Sequence, residues 1–308
     1  MIYLRIAGSC GNQFFQYAFA RSIQEKMGGD LVIDYNLVRE NKILWEGSDN
    51  LLQHFNVVPY RYTTVQEHWK YKFLNFIFKF NQRFQIDPFS EKRYKRECRW
   101  AHFLEIFGVY YFDAPYFDFK YPKRKNVVIQ GYFESPKYFA EIDDKLKAEL
   151  TSKESLNDVQ QALQDKLKST NSVCITIRTW KREDEATTNR YSVCDRAYYE
   201  KAISYICEKV EKPVFYVCSD DVEWCRNNIA FSENVEVIFE GSENELWDKL
   251  TLMRSCAHYI ISNSTFSWWA QHLGGHDNSK MVIAPREWMK DWNHQPIDIY
   301  EEGWTYLD

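Results

Sequence analysis

SVCITIR at 172–178, PVFYVCSD at 213–220, VEVIF at 235–239, HYIIS at 258–262 and MVIAP at 281–285 are short apolar runs separated by segments with helical spacing. The segments between them predict a helix from Arg196 to Val210, a short one around Trp224, one from Glu243 to Arg254 and one from Phe266. Strand, helix, strand without interruption predicts a doubly wound parallel sheet. Such sheets take ligands beyond the carboxyl ends of their strands, so the residues closing these runs are the first candidates for function.

Upstream, IYLRI at 2–6 reads as a strand. A glycine-containing turn follows, then Phe15, Ala18, Phe19, Ser22 and Ile23 recur at helical spacing until Gly28-Gly29, and LVIDY at 31–35 is a second strand. This is a βαβ unit, so the first lobe is also α/β. VVIQGYF at 127–133 predicts another strand and turn, and Ser135-Pro136 the start of a helix running to about Leu150. The polar stretch from Thr151 to Ser155 predicts the start of the connection, with a helix beyond it to about Lys168. Two lobes are expected, 1–155 and 156–308, with the last residues packing back on the first. Between about 60 and 100 the composition turns basic and aromatic, with Phe73, Phe76, Ile77 and Phe80 on one helical face. A helical insertion packed on the lobe is the plainer reading. Peripheral contact with a membrane is the alternative, since cations beside aromatics suit a charged lipid interface.

The 308 residues with 45% hydrophobic content suffice for two cored domains, and a formal net charge of −5 gives nothing that would draw the chain onto nucleic acid. Any phosphate site must be local. The eight cysteines have no C-x-x-C pair, and Cys174 and Cys218 lie in buried-strand runs, which predicts reduced thiols. Neither a signal peptide nor a membrane-crossing stretch is legible, so a cytoplasmic protein is expected. The 17% aromatic content suits sugar stacking but is explained mostly as core.

Three strand ends carry groups that suit a nucleoside diphosphate. Arg178 offers a planar fork of donors. Asp220 is an acceptor for ribose or guanine, or an N-cap for the next helix. Ser262-Asn263-Ser264-Thr265 precedes a helix, where free N–H groups and the dipole favour an anion, although ordinary capping by Ser264 or Thr265 explains the same residues. The loop Gly8-Ser9-Cys10-Gly11-Asn12-Gln13 lacks the third glycine of a dinucleotide fingerprint. Asp-x-Asp is absent and no cluster has metal-ligand spacing, so side chains and helix ends are expected to neutralise a diphosphate without a cation.

GNQFFQYAFAR at 11–21 resembles the N-terminal motif of bacterial α-1,2-fucosyltransferases of glycosyltransferase family 11. SNSTFSWWAQHLG at 262–274, LWDKLTLMRSC at 246–256, YVCSDDVEWCRNNI at 216–229 and GYFESPKYF at 131–139 are similar to further segments of that family, in the expected order. The resemblance implies a GT-B-like architecture, an N-terminal acceptor lobe facing a nucleotide-sugar lobe across a cleft. It implies Gly11 and Asn12 near sugar and phosphates, Arg178 on the diphosphate, and Asp220 at the nucleoside. Asn263, Ser264, Thr265 and Phe266 would surround phosphate and base. Where the family has His-x-Arg-Arg-Gly-Asp, this chain has Thr176-Ile177-Arg178-Thr179-Trp180-Lys181. The first arginine is kept, and the histidine, second arginine and aspartate are not. Lys181 or Arg182 are candidates to restore the charge, and Trp180 to line the acceptor side.

The resemblance therefore implies inverting transfer of L-fucose from GDP-fucose to the 2-hydroxyl of a galactose in a glycan, with no cofactor. Arg178 and Asn12 are the expected catalytic residues. Another GDP-sugar or linkage, or a non-catalytic GDP-sugar-binding protein, are the alternatives. Glu183, Asp184 and Glu185 are positioned for a general base, but a solvated charged loop explains them better.

Overall fold

In the computed structural model the described residues are 1–40, 50–69, 72, 91–112, 116–180, 185–275, 279–290 and 298–307. Contacts divide the chain into two units, Met1–Glu149 with Asn293–Tyr300 and Leu150–Trp292 with Glu301–Asp308. The change of unit thus falls at Leu150, ahead of the polar 151–155 stretch.

The first unit is built on a five-stranded sheet in which every pairing is parallel. Its strands are β1 (Ile2–Arg5), β2 (Leu31–Asp34), β3 (Tyr60–Tyr62), β4 (Val109–Phe112) and β5 (Val127–Gly131), in the order β3-β2-β1-β5-β4. β1 is central and buried throughout. Helix α1 (Cys10–Met27) crosses from β1 to β2 and is buried on almost every side over its first turns, with Phe14, Phe15 and Phe19 wholly enclosed. Each such ring contributes ~1.5–3 kcal/mol by leaving water. α2 (Asn36–Glu40), α3 (Glu91–Glu105) and α4 (Asp143–Glu149) complete the regular helices of this unit considered below.

Two expectations need correction here, and one strand was not foreseen. Tyr60–Tyr62 opens the supposed helical insertion as an edge strand, too short and exposed to show an apolar run. β4 was equally invisible, because its burial alternates and the run is short. The single helix from Ser135 to Leu150 is instead two 3₁₀ turns, Pro136–Tyr138 and Ala140–Ile142, followed by α4. Phe139 breaks it at φ −137° and ψ 14°, and the break lets Tyr138 meet Phe19 at 4.9 Å while Phe139 meets Phe15 at 6.1 Å. Phe73, Phe76, Ile77 and Phe80 lie outside the described residues.

The second unit has a six-stranded, wholly parallel sheet ordered β11-β10-β9-β6-β7-β8. These are β6 (Ser172–Ile177), β7 (Val214–Ser219), β8 (Glu236–Phe239), β9 (His258–Ile260), β10 (Val282–Pro285) and β11 (Thr305–Leu307). The helices are α5 (Asp158–Ser169), α6 (Glu185–Tyr191), α7 (Arg196–Lys209), α8 (Val222–Asn228), α9 (Leu246–Met253) and α10 (Thr265–Leu273). The alternation expected from 172 onward is present. The closing residues divide between the units, so their expected return to the first lobe is corrected for Glu301–Asp308. Thr305–Leu307 pairs with β10, satisfying backbone groups that a sheet edge leaves open. Both units are therefore the Rossmann-like α/β lobes that were expected. Among the described residues no helix is long and apolar enough to cross a membrane.

Candidate functional site

In the second sheet the chain runs from β6 outward through β7 and β8, then returns to the other side of β6 with β9. The carboxyl ends of β6 and β9 therefore flank the point where strand order reverses, the place where open α/β sheets bind ligands. Arg178 leaves the end of β6, and Ser262-Asn263-Ser264 leaves the end of β9. Thr176, standing where the family carries histidine, joins the two: its Oγ1 accepts from Ser262 N at 3.0 Å. Tyr199 Oη donates to the Thr176 carbonyl at 3.2 Å, and Tyr198 Oη to that of Ile261 at 2.7 Å. These tyrosines on α7 read as core in the sequence, and only the fold reveals that they brace the strand ends.

Arg178 is half-buried. Its Nε lies 3.6 Å from Asp220 Oδ2, and Asp220 Oδ1 accepts from Thr179 N at 2.8 Å and Thr179 Oγ1 at 3.1 Å. The carboxylate thus orients the guanidinium and the backbone that carries it. Asp221, not Asp220, caps α8, accepting from Trp224 N at 2.8 Å. Beside Arg178, Trp180 adopts φ 58°, a conformation that favours glycine. The glycine of the family motif falls at this position. The strained tryptophan is held by stacking on Tyr191 at 5.1 Å, by the Arg178 guanidinium 5.0 Å from its ring and by Thr188 Oγ1 donating to its carbonyl. Lys181, Arg182, Glu183 and Asp184 lie outside the described residues, whereas Glu185 is exposed at the start of α6.

At the start of α10, Ser264 is the N-cap residue yet makes no side-chain capping bond. Ordinary capping by that hydroxyl is therefore not its role here. Ser264, Thr265 and Phe266 are half-buried. Asn263 differs: it is 2% exposed and its Nδ2 donates to the carbonyls of Tyr191 and Trp288, each at 2.8 Å. That amide nitrogen anchors the loop from below, so any ligand contact expected of Asn263 falls to its other groups. Asn263→Ala removes both of these bonds, although Tyr191 O still accepts from Val193 N at 2.8 Å, and is expected to cost about 1–3 kcal/mol, read as a lower Tm. An unchanged Tm would remove the anchoring role.

In the first unit the turn between β1 and α1 is fixed by the helix it leads into. Gln16 brackets Ala7, accepting from its N–H at 2.9 Å and donating to its carbonyl at 3.0 Å, and Gln13 Nε2 donates to Gly8 O at 3.2 Å. Gly8 has φ 78°, and a Cβ there would come within 2.5 Å of Asn12 Nδ2. The turn therefore places the half-buried Asn12 close against backbone, with Gly11 buried beside it. Two carboxylates at the carboxyl edge of this sheet escaped sequence reasoning. Asp34, ending β2, accepts from Asn36 N at 2.9 Å and lies 3.1 Å from His68 Nδ1 and 3.4 Å from Arg5 Nε. That charge is internally satisfied.

Glu134 is not. It follows β5 in a contorted segment where Gly131 has φ 153° and any Cβ would collide with Phe112 O. Phe133 has φ 53°, locked by its ring stacking on Phe19 at 4.2 Å. Half-buried Glu134 makes no hydrogen bond or ion pair with the described residues, and burial pushes its carboxyl up to about 7. Its sequence signal was only its place after a predicted strand end.

Among the described residues no three His, Cys, Asp or Glu side chains gather as a metal site. A cavity of about 520 Å³ in the second unit, lined by Lys168, Arg254 and Cys256 among others, lies at the amino ends of β6 and β9, away from Arg178.

The family model described as glycosyl transferase family 11 matches residues 1–308. An alpha-1,2-colitosyltransferase of Escherichia coli is 28% identical over 312 residues, covering 100% of this chain and 99% of the relative. Galactoside alpha-(1,2)-fucosyltransferase 1 of Homo sapiens is 33% identical over 102 residues, 32% of this chain and 28% of its own length. Among solved structures, the fucosyltransferase NodZ from Bradyrhizobium aligns with 89% of this chain and 92% of its own at 14% identity and a TM-score of 0.47. With the family match running the full length of both parallel-sheet units, this chain belongs to glycosyl transferase family 11.

Proposed function

We propose that this glycosyltransferase moves L-fucose from GDP-fucose, with inversion, to the 2-hydroxyl of a galactose in an oligosaccharide or surface-polysaccharide repeat. The observation that carries the reading is Arg178, an oriented guanidinium at the switch point of a parallel sheet. In this reading Arg178 binds the diphosphate, Ser264 and Thr265 at the helix start add N–H and hydroxyl groups, and Phe266 meets the base. Asp220, expected at the nucleoside, is read as the residue that orients Arg178. Gly11 and Asn12 serve the sugar and phosphates. The acceptor hydroxyl attacks the anomeric carbon as GDP departs, and negative charge growing on the diphosphate is met by groups already in place. Glu134 takes the hydroxyl proton, its carboxyl poised near neutral pH.

A second donor is favoured by Trp180. An apolar platform where the family has glycine, beside Thr179 in place of arginine, suits a sugar with fewer hydroxyls, and a full-length relative is an alpha-1,2-colitosyltransferase. The test is a panel of GDP-fucose, GDP-colitose and GDP-mannose with β-galactosides, the product linkage read by NMR. Turnover with GDP-colitose alone replaces the donor. GDP binding with neither transfer nor donor hydrolysis on any acceptor leaves a binding protein and ends the enzymatic reading.

No cation is assigned to the reaction. Transfer is expected to persist in excess EDTA, and loss restored by manganese would overturn that assignment. A cytoplasmic site of action is consistent with all eight cysteines being free thiols.

A further inference from the structure

Helix α3 presents two unlike faces. Inward, Ala101 is buried, Tyr94 Oη donates to Tyr116 O at 2.6 Å, and the buried Glu105 carboxylate accepts from Lys120 N at 2.9 Å. Outward, Trp100 and Phe103 are 43% and 52% exposed, and in the turn that follows Ile106 and Phe107 are 64% and 50% exposed. These rings touch one another: Trp100 and Phe103 lie 5.8 Å apart and Phe103 and Phe107 5.4 Å. A contiguous aromatic strip left in water is unusual and marks a surface made for a partner.

The charges around it identify the partner. Lys92, Lys95 and Arg99 are exposed on the same helix, whose five basic residues exceed its three acidic ones. Lys95 is paired with Glu91 at 2.7 Å and Arg93 with Glu97 at 2.6 Å, and Arg99 Nε donates to Lys95 O at 3.3 Å while its charge faces no carboxylate partner on this helix. The exposed run Lys123-Arg124-Lys125 reinforces the strip, since the Arg124 guanidinium sits 5.7 Å from the Phe107 ring and its Nε donates to Ile106 O at 3.2 Å. This excess of positive charge stands on a chain whose net charge is −5, so it is a local device. Large rings that enter the headgroup region, flanked by long cationic side chains that reach phosphates, match a negatively charged lipid surface.

We propose that the outer face of α3 and the turn after it dock the enzyme on an anionic membrane, lying in its interface and not crossing it. The surface is independent of which sugar is transferred. The test is co-sedimentation of the full chain with vesicles of phosphatidylcholine alone or mixed with phosphatidylglycerol, at low salt and at about 0.5 M salt. Expected is binding to the mixed vesicles that weakens with salt. The pairs Trp100→Ser with Phe103→Ser and Lys92→Glu with Arg99→Glu should each lower partitioning by about fivefold or more, at unchanged circular dichroism and Tm. Equal binding to both vesicle types, no binding to either, or full binding by both variant pairs overturns the proposal. So does a concentration-dependent dimer abolished by Trp100→Ser with Phe103→Ser, which would give the face to a second copy of the chain.

Discussion

Replacing Arg178 by alanine should lower kcat/KM for sugar transfer about 10²–10³-fold, the loss that follows removal of one preorganised donor from a developing charge. The fold should survive. Arg178 is half-buried with a 32% exposed side chain, and Asp220 keeps its two bonds from Thr179 when the guanidinium is gone. Arg178→Lys retains a charge but not the fork, so an intermediate loss is expected. Steady-state kinetics beside a thermal melt decide the matter: transfer within threefold of the parent enzyme removes Arg178 from the reaction, whatever the melt shows. Asp220→Asn probes the layer behind it, and should lower activity less than Arg178→Ala because the backbone bond from Thr179 persists.

Glu134→Gln is expected to lower kcat about 10²–10⁴-fold while leaving KM for the donor near its original value, as befits a proton acceptor that binds nothing in the ground state. The pH dependence gives the sharper reading. Burial raises the folded-state pKa to about 7, so the carboxyl is protonated and inactive as a base below that value. The rate of the parent enzyme should climb with pH through about 7 and then level, and the variant should lack that limb. Linkage has the opposite sign for stability. A carboxyl whose folded pKa lies above its unfolded value binds its proton more tightly when folded, so its ionisation weakens the fold as pH rises from the ordinary carboxylate range past about 7. Glu134→Gln should therefore melt no lower than the parent at pH 8. A variant that is fully active, or a parent profile flat between pH 6 and 8, would end the role of Glu134. An inactive parent enzyme would instead count against the transferase reading.

Trp180 illustrates how a departure from a family pattern acquires meaning from geometry. In sequence it was a substitution beside a retained arginine. In the fold it takes a left-handed backbone that favours glycine, with its ring stacked on Tyr191 and the Arg178 guanidinium beside it. Strain of ~1–3 kcal/mol at such a residue persists only where neighbours enforce it.

The sequence alone determined the two α/β lobes, because period-2 and period-3.6 patterns are local and the runs at 172–178, 213–220 and 258–262 are long enough to declare themselves. It also located Arg178, Asp220 and the 263–266 segment at strand ends, since strand boundaries follow from where apolar runs stop. Tertiary structure alone decided what each touches. Asn263 turns inward where its amide meets two carbonyls from distant segments, Asp220 lies against Arg178 because β6 and β7 are neighbours, and Glu134 stands apart because the chain around it is contorted to bury Phe133. The short edge strands β3, β4 and β11 were equally beyond reach. Partner choice, burial and the pKa that follows from it are properties of neighbours brought together across the fold, and a linear pattern carries no record of them.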